Sequence, residues 1–161
     1  MVDAGERVPG ILLMPHAEAP VPAALLLHGL GSRKERMADT VGETLLREGV
    51  AALAVDLPMH GARGSHTDLA ASNPHQLLAT WRTAVREALL AMEYLMTHAQ
   101  IDAGRVGVVG YSLGSFVANI VASQLPSVRA VVLAAGGDLP DGLPFGALVP
   151  TVVVPLRAAG R

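Results

Sequence analysis

Residues 106–114 read Val106-Gly107-Val108-Val109-Gly110-Tyr111-Ser112-Leu113-Gly114, and how this stretch is read decides the fold. The period changes partway. Val106 to Val109 is a short apolar run of strand type, whereas from Leu113 to Leu125 the positions Phe116, Ile120 and Gln124 recur at helical spacing. Between the two lies Gly110-Tyr111-Ser112-Leu113-Gly114, a G-x-S-x-G string that falls where a strand passes into a helix. Such a turn holds its serine in a strained backbone. Side chains two residues to either side would collide with the adjoining strand and helix, which accounts for both glycines. The first turn of the following helix directs its free N–H groups toward developing negative charge. The competing reading is a glycine-rich turn with an inert serine; the strand before the string and the helix after it favour a reactive one.

Working outward, the same alternation repeats. Val8 to Met14, Ala23 to Leu27, Val50 to Val55 and Val128 to Leu133 are further strand candidates, and the solid apolar runs suit strands buried on both faces. Met37, Val41 and Leu45 lie on one face of a helix that Gly49 ends. A polar, glycine-rich connection runs from Asp56 to Asn73. Asn73 then caps a long helix with Pro74 at its first position and Leu78, Trp81, Val85, Leu89, Met92 and Leu95 as its apolar stripe, ending near His98. Strands alternating with helices predict an α/β fold, a three-layer α/β/α sandwich around a mostly parallel sheet. Chemistry in such sheets sits at the carboxyl ends of the strands, here the loops starting at His28, Asp56, Tyr111 and Ala134.

Composition narrows the function classes. With 51% hydrophobic and 16% charged residues the chain is no disordered segment, and at 161 residues it suits one domain. A net charge of -2 and scattered arginines exclude a phosphate-backbone binder. Cysteine is absent, which removes disulfides, thiolate metal sites and a cysteine nucleophile. The N-terminus carries acids and no apolar h-region, so it is not a signal peptide. Val106 to Val128 carries no charge, yet Gly110, Ser112, Gly114, Ser115, Asn119, Ser123, Gln124 and Pro126 make it unfit to span a bilayer. The expectation is a cytoplasmic protein that binds neither membrane nor nucleic acid.

Four features, in order, resemble the α/β-hydrolase superfamily, in particular its dienelactone-hydrolase-like and serine-aminopeptidase-like esterase branch. They are Leu25-Leu26-Leu27-His28-Gly29, Asp56-Leu57-Pro58-Met59-His60-Gly61, the elbow Gly110 to Gly114, and the strand Val128 to Ala134. The resemblance covers about residues 8 to 140. It implies that Ser112 is a nucleophile attacking an acyl carbonyl of a small-molecule substrate. The backbone N–H groups of Leu30 and Leu113 would form the oxyanion hole, and His28 would support the turn. No cofactor is implied. Gly29-Leu30-Gly31-Ser32-Arg33-Lys34 matches neither a dinucleotide fingerprint nor a P-loop. His60, His66 and Asp68 have no familiar metal-ligand spacing, so no metal is expected.

In this fold the triad runs Ser, then Asp or Glu, then His. Here all six histidines, His16, His28, His60, His66, His75 and His98, precede Ser112, and only Asp138 and Asp141 follow it as acids. The expectation is therefore a single partial domain over residues 1–161, C-terminally incomplete, with 136–161 as loop and linker toward acid- and histidine-bearing segments. The strand Val128 to Leu133 would then offer an open edge to a complementing chain or to a second copy. His60 is the upstream alternative as base, and Asp138 a candidate acid. A non-catalytic binding or scaffold protein on the same fold is the alternative from another class.

Overall fold

Along Val21–Leu27 (β2) successive side chains face opposite ways and both directions are apolar, so this strand needs cover on both faces. In the computed structural model, which describes residues 7–65, 67 and 73–137, it has it. β2 lies in one five-stranded sheet with β1 (Gly10–Leu13), β3 (Ala51–Val55), β4 (Ile101–Tyr111) and β5 (Val128–Ala134), in the order β1-β3-β2-β4-β5. β1 runs antiparallel to β3, and every other pair is parallel. Among the described residues the fully placed α-helices are α1 (Lys34–Met37), α2 (Glu43–Arg47), α3 (Pro74–Thr97) and α4 (Leu113–Gln124).

Two cores result, one per face. Ala23, Leu25 and Leu27 pack with Leu53, Val106 and Val108 beneath Val85, Ala88, Met92 and Leu95 of α3 and Val117 and Val121 of α4. On the other face, Ala24, Leu26, Ala52 and Ala54 pack beneath Met37, Ala38, Val41 and Leu45. This is the expected three-layer sandwich with a mostly parallel sheet. α1 and α2 are joined by a π-helical turn, Ala38–Gly42, so the whole stretch runs on as one helix. It lies close to the sheet: a Cβ on Gly42 would come within 2.9 Å of Leu13 Cδ1. Gly49, at φ +75, reverses the chain into β3.

The apolar runs mark the strands well, with one large difference. β4 begins at Ile101, not Val106, because Ile101 pairs with Val21 across a register shift. Its first half carries Asp102, Gly104 and Arg105, whose mutual hydrogen bonds give it the composition of a turn. A 3₁₀ turn, Gly61–Arg63, lies within the connection read as irregular. β5 forms the edge of the sheet among the described residues, with Val132 exposed. Residues 138–161, which include most of the expected linker, lie outside the described residues. No helix among the described residues is long and apolar enough to cross a membrane.

α3 starts as its sequence implies. Asn73 Oδ1 accepts from the Gln76 N–H and Gln76 Oε1 accepts from the Asn73 N–H, both at 3.0 Å, and Pro74 needs no donor there. The first buried side chain of α3 is Ala84, so its opening turns depend on this cap more than on packing. Asn73→Ala should cost about 1 kcal/mol. Leu25→Ala, in the fully buried centre of β2, should cost about 3 kcal/mol. Urea unfolding checks both, and a Leu25 loss no larger than the cap's would contradict the two-faced core.

Candidate active site

Ser112 follows the last residue of β4 and precedes α4, and its backbone has φ 49 and ψ −115. For a residue with a Cβ this conformation costs about 1–3 kcal/mol, so neighbours must hold it. The glycines are required by contact. A Cβ on Gly110 would lie 2.4 Å from the Gly114 oxygen, and one on Gly114 would lie 2.2 Å from the Leu27 oxygen. Hydrogen bonds complete the turn. The Ser112 N–H donates to the Ala134 carbonyl at 2.8 Å, and the Ser115 N–H to the Ser112 carbonyl at 2.9 Å. Ser115 Oγ sits 2.8 Å from both the Gly110 and the Ala134 oxygens. After β5 the chain turns through Ala135, Gly136 and Gly137, all at positive φ, and Asn119 Nδ2 donates to the Gly137 carbonyl at 2.6 Å.

The second loop comes from β2. A Cβ on Gly29 would lie 3.2 Å from Ser112 Cβ and 2.9 Å from Tyr111 Cδ1, so the two loops touch and a side chain here would have to displace the Tyr111 ring. The Ser32 N–H donates to the Gly29 carbonyl at 3.1 Å and closes the turn that carries Leu30. Leu113 opens α4, where the first N–H groups have no partner within the helix. Among the described residues, neither the Leu30 nor the Leu113 N–H has an acceptor. The arrangement thus gathers a hydroxyl, two backbone donors and a helix N-terminus at the carboxyl ends of β2 and β4.

Beneath these loops lies a buried polar cluster that sequence reasoning had not assembled. Asp56 accepts from the Lys34 N–H at 2.8 Å, from Lys34 Nζ at 2.7 Å and from the Ala62 N–H at 3.0 Å. Burial alone would raise the Asp56 pKa; the Lys34 ammonium and the two amides outweigh it and hold the carboxyl below its ordinary value. The same bond, with a second to Glu35, raises the Lys34 pKa. Gly61 at φ +56 lets the chain pass, since a Cβ there would lie 2.2 Å from Asp56 Oδ1. Arg63 grips Glu87 of α3 through two bonds of 2.5 and 2.9 Å, tying the loop to the helix. Lys34 is the chain's single lysine and stands 22 positions from Asp56; that singularity was the one available signal.

His28 is buried in this cluster. Its Nε2 accepts from the Leu57 N–H at 3.0 Å, so Nδ1 carries the proton and donates to the Gly29 carbonyl at 2.8 Å. Burial lowers its pKa and keeps the ring neutral, and the 4.0 Å approach to Asp56 is therefore no ion pair. His60, the alternative base, is also buried; its Nδ1 donates to the Pro58 carbonyl at 2.8 Å, with its ring 5.1 Å from that of His28. Among the described residues, no imidazole is hydrogen-bonded to the Ser112 hydroxyl. His66, Asp68 and Asp138 lie outside the described residues.

Comparison with known proteins agrees with this fold. The model of the alpha/beta hydrolase family matches residues 24–161, and the chain belongs to that family. Among solved structures, it is similar to Est1E from Butyrivibrio proteoclasticus, determined with ferulic acid bound, at 20% identity and a TM-score of 0.64; 78% of this chain and 47% of that one are covered. Acetyl xylan esterase 1 from Thermoanaerobacterium sp. JW/SL YS485 is similar at 21% identity and a TM-score of 0.60, covering 78% and 43%. A protein assigned as a dienelactone hydrolase from Klebsiella pneumoniae subsp. pneumoniae MGH 78578 is similar at 20% identity and a TM-score of 0.61, covering 83% and 56%. The chain thus spans about half the length of these structures. No curated protein sequence matches it.

Two outcomes are expected. Gly110→Ala and Gly114→Ala should each cost about 3 kcal/mol, against about 1 kcal/mol for Gly49→Ala, which has positive φ but open space. Stability should also fall as pH drops below about 6.5, because unfolded His28 takes up a proton that the folded ring refuses. Asp56, with its folded pKa lowered, stabilises fully above about pH 3.9 and loses that contribution as pH falls through the folded value. Urea midpoints at pH 7, 5.5, 4 and 3 measure both steps. A midpoint unchanged from pH 7 to 5.5 would contradict a neutral His28.

Proposed function

We propose that this chain carries the nucleophile and oxyanion hole of a serine hydrolase that transfers the acyl group of a small carboxylic ester, or a related acyl compound, to water. The observation that carries the reading is Ser112 at φ 49 between β4 and α4, beside two backbone N–H groups without acceptors. Ser112 Oγ attacks the carbonyl carbon while a general base takes its proton. The carbonyl oxygen becomes an oxyanion that accepts from the Leu30 and Leu113 N–H groups. Collapse expels the alcohol, which takes the proton back from the base. Water, deprotonated by the same base, then attacks the acyl-serine and releases acid and free Ser112. Backbone donors of this kind supply about 3 to 4 kcal/mol each. No step needs a cofactor.

We infer that the base is none of the described histidines. His28 and His60 are engaged beneath the loops, His16 and His75 are exposed, His98 is half-buried at the end of α3, and none is hydrogen-bonded to Ser112. The reading supported best has the base and its acid arrive on further polypeptide, in cis or as a second chain lying along β5. A homodimer through the same edge is the other use of it.

p-Nitrophenyl acetate hydrolysis tests the proposal. The 161-residue chain should differ little from its Ser112→Ala variant, since the hydroxyl stays protonated. Joined to an acid- and histidine-bearing segment, in cis or as a second chain, it should gain several orders of magnitude in rate and depend on Ser112. Rapid, Ser112-dependent turnover by the chain alone would contradict the external base. A joined protein inert toward every acyl substrate would favour the scaffold reading.

A further inference from the structure

Among the described residues, the non-glycine positions at positive φ are Met59, Ser112 and Ala135, and each follows the carboxyl end of a strand. Met59, at φ 59, is the bulkiest of them. The cause is local. Leu57-Pro58-Met59-His60 is a β-turn, closed by the His60 N–H donating to the Leu57 carbonyl at 3.2 Å. Pro58 keeps φ negative at the first central position, so a positive φ at the second makes the turn type II, which favours glycine or asparagine there. The central peptide is locked in that orientation, because the Pro58 carbonyl accepts from His60 Nδ1 at 2.8 Å and the His60 ring is buried. A methionine thus stands where glycine would fold more easily. Strain of this kind collects where a side chain serves a site.

Contacts on both sides lead from Met59 to Ser112. Thr80 Oγ1 donates to Met59 Sδ at 3.8 Å, and the ring of the next residue, Trp81, lies 6.4 Å from that of Phe116 in α4. Phe116 borders the serine: a Cβ on Gly136 would lie 3.1 Å from both the Phe116 ring and the Ser112 carbonyl oxygen. On the other side, the His60 ring lies 5.1 Å from that of His28, and the following residue, Gly29, abuts Ser112 Cβ. Met59, Trp81 and Phe116 are each half-buried, so part of each side chain is open to a ligand. Charged groups in this corner are paired with one another, Lys34 with Asp56 and Arg63 with Glu87. A thioether beside two aromatic rings suits a neutral aromatic partner.

We propose that Met59 is a specificity-determining residue: with Trp81 and Phe116 it forms a subsite for an uncharged aryl group of the ester, and its side chain is kept there at the expense of a left-handed backbone. The inference rests on the reading of Ser112 as the acyl-transfer nucleophile. It adds the class of group that the site prefers.

Binding without chemistry gives the test, so no general base is required. Acetanilide and benzamide are the probes. Each is the amide analogue of an ester, with its ring on the leaving-group side in the first and on the acyl side in the second. Acetamide, without a ring, is the control. Methionine methyl signals of the 161-residue chain are followed by NMR during titration. The Met59 methyl should shift with a ring-bearing amide and not with acetamide, while those of the buried Met37 and Met92 stay in place. The amide that moves it more identifies the part of the ester that the subsite takes. Affinities of variants are read from the fluorescence of Trp81, the single tryptophan. Met59→Gly and Met59→Ala should each weaken binding about 10-fold. Met59→Gly suits the turn and should have a urea midpoint no lower than wild type, whereas Met59→Ala should have a lower one. A Met59 methyl that neither ring-bearing amide moves, or a variant that binds as the wild type does, overturns the proposal. A Met59→Gly midpoint far below wild type makes the side chain a packing element and overturns it as well. None of these readouts uses the Ser112 hydroxyl, whereas hydrolysis by the joined protein does, so failure here and failure of the Ser112 reading are distinguishable.

Discussion

The constraint on which the rest of this structure depends is the approach of α4 to the carboxyl end of β2. Gly114 brings the first turn of the helix so near the Leu27 and His28 carbonyls that a Cβ would lie 2.2 and 2.7 Å from them. This one contact sets the depth of the helix, the direction of its N-terminus and the strained turn at Ser112. The β2 loop meets the serine at the next residue but one after Leu27, since a Cβ on Gly29 would lie 3.2 Å from Ser112 Cβ. Carbonyl oxygens cannot yield as a flexible side chain can, so the geometry tolerates no intermediate size.

Stored strain at Ser112 needs rigid support, and the support is mostly polar. The Ala134 carbonyl receives both the Ser112 N–H and the Ser115 hydroxyl, so the end of β5 pins the elbow. On the other side, Asp56, Lys34 and His28 brace the β2 loop. Burying an ammonium and a carboxylate costs desolvation energy that the pair itself recovers only in part, and added bonds to the Lys34 and Ala62 amides make up the balance. Such a cluster contributes little net stability compared with an apolar core of the same volume. What it provides is a single arrangement of the loops. Two apolar cores, one per sheet face, supply the bulk of the stability around it.

Much of this was legible. β2 and β3 are solid apolar runs because both of their faces are buried, and no other element needs that pattern over so few residues. The elbow was legible because its stereochemistry is local: Gly110, Ser112 and Gly114 answer to one turn. The beginning of β4 was not, since Asp102 and Arg105 bond to each other at the surface and resemble a turn although Ile101 already pairs with Val21. Nor was the brace of the site. Lys34 and Asp56 stand 22 positions apart, and Arg63 and Glu87 stand 24 apart.

The sequence by itself determined the fold class, the strands flanking the serine, the cap of α3 and the residue types at the elbow, because periodicity and turn stereochemistry act between near neighbours along the chain. Only the tertiary structure decided that the His28 proton sits on Nδ1 and that Lys34 completes Asp56. Those outcomes depend on strand order. β2 lies between β3 and β4, so the loops after β2 and β3 open side by side and their polar groups must find one another as water leaves.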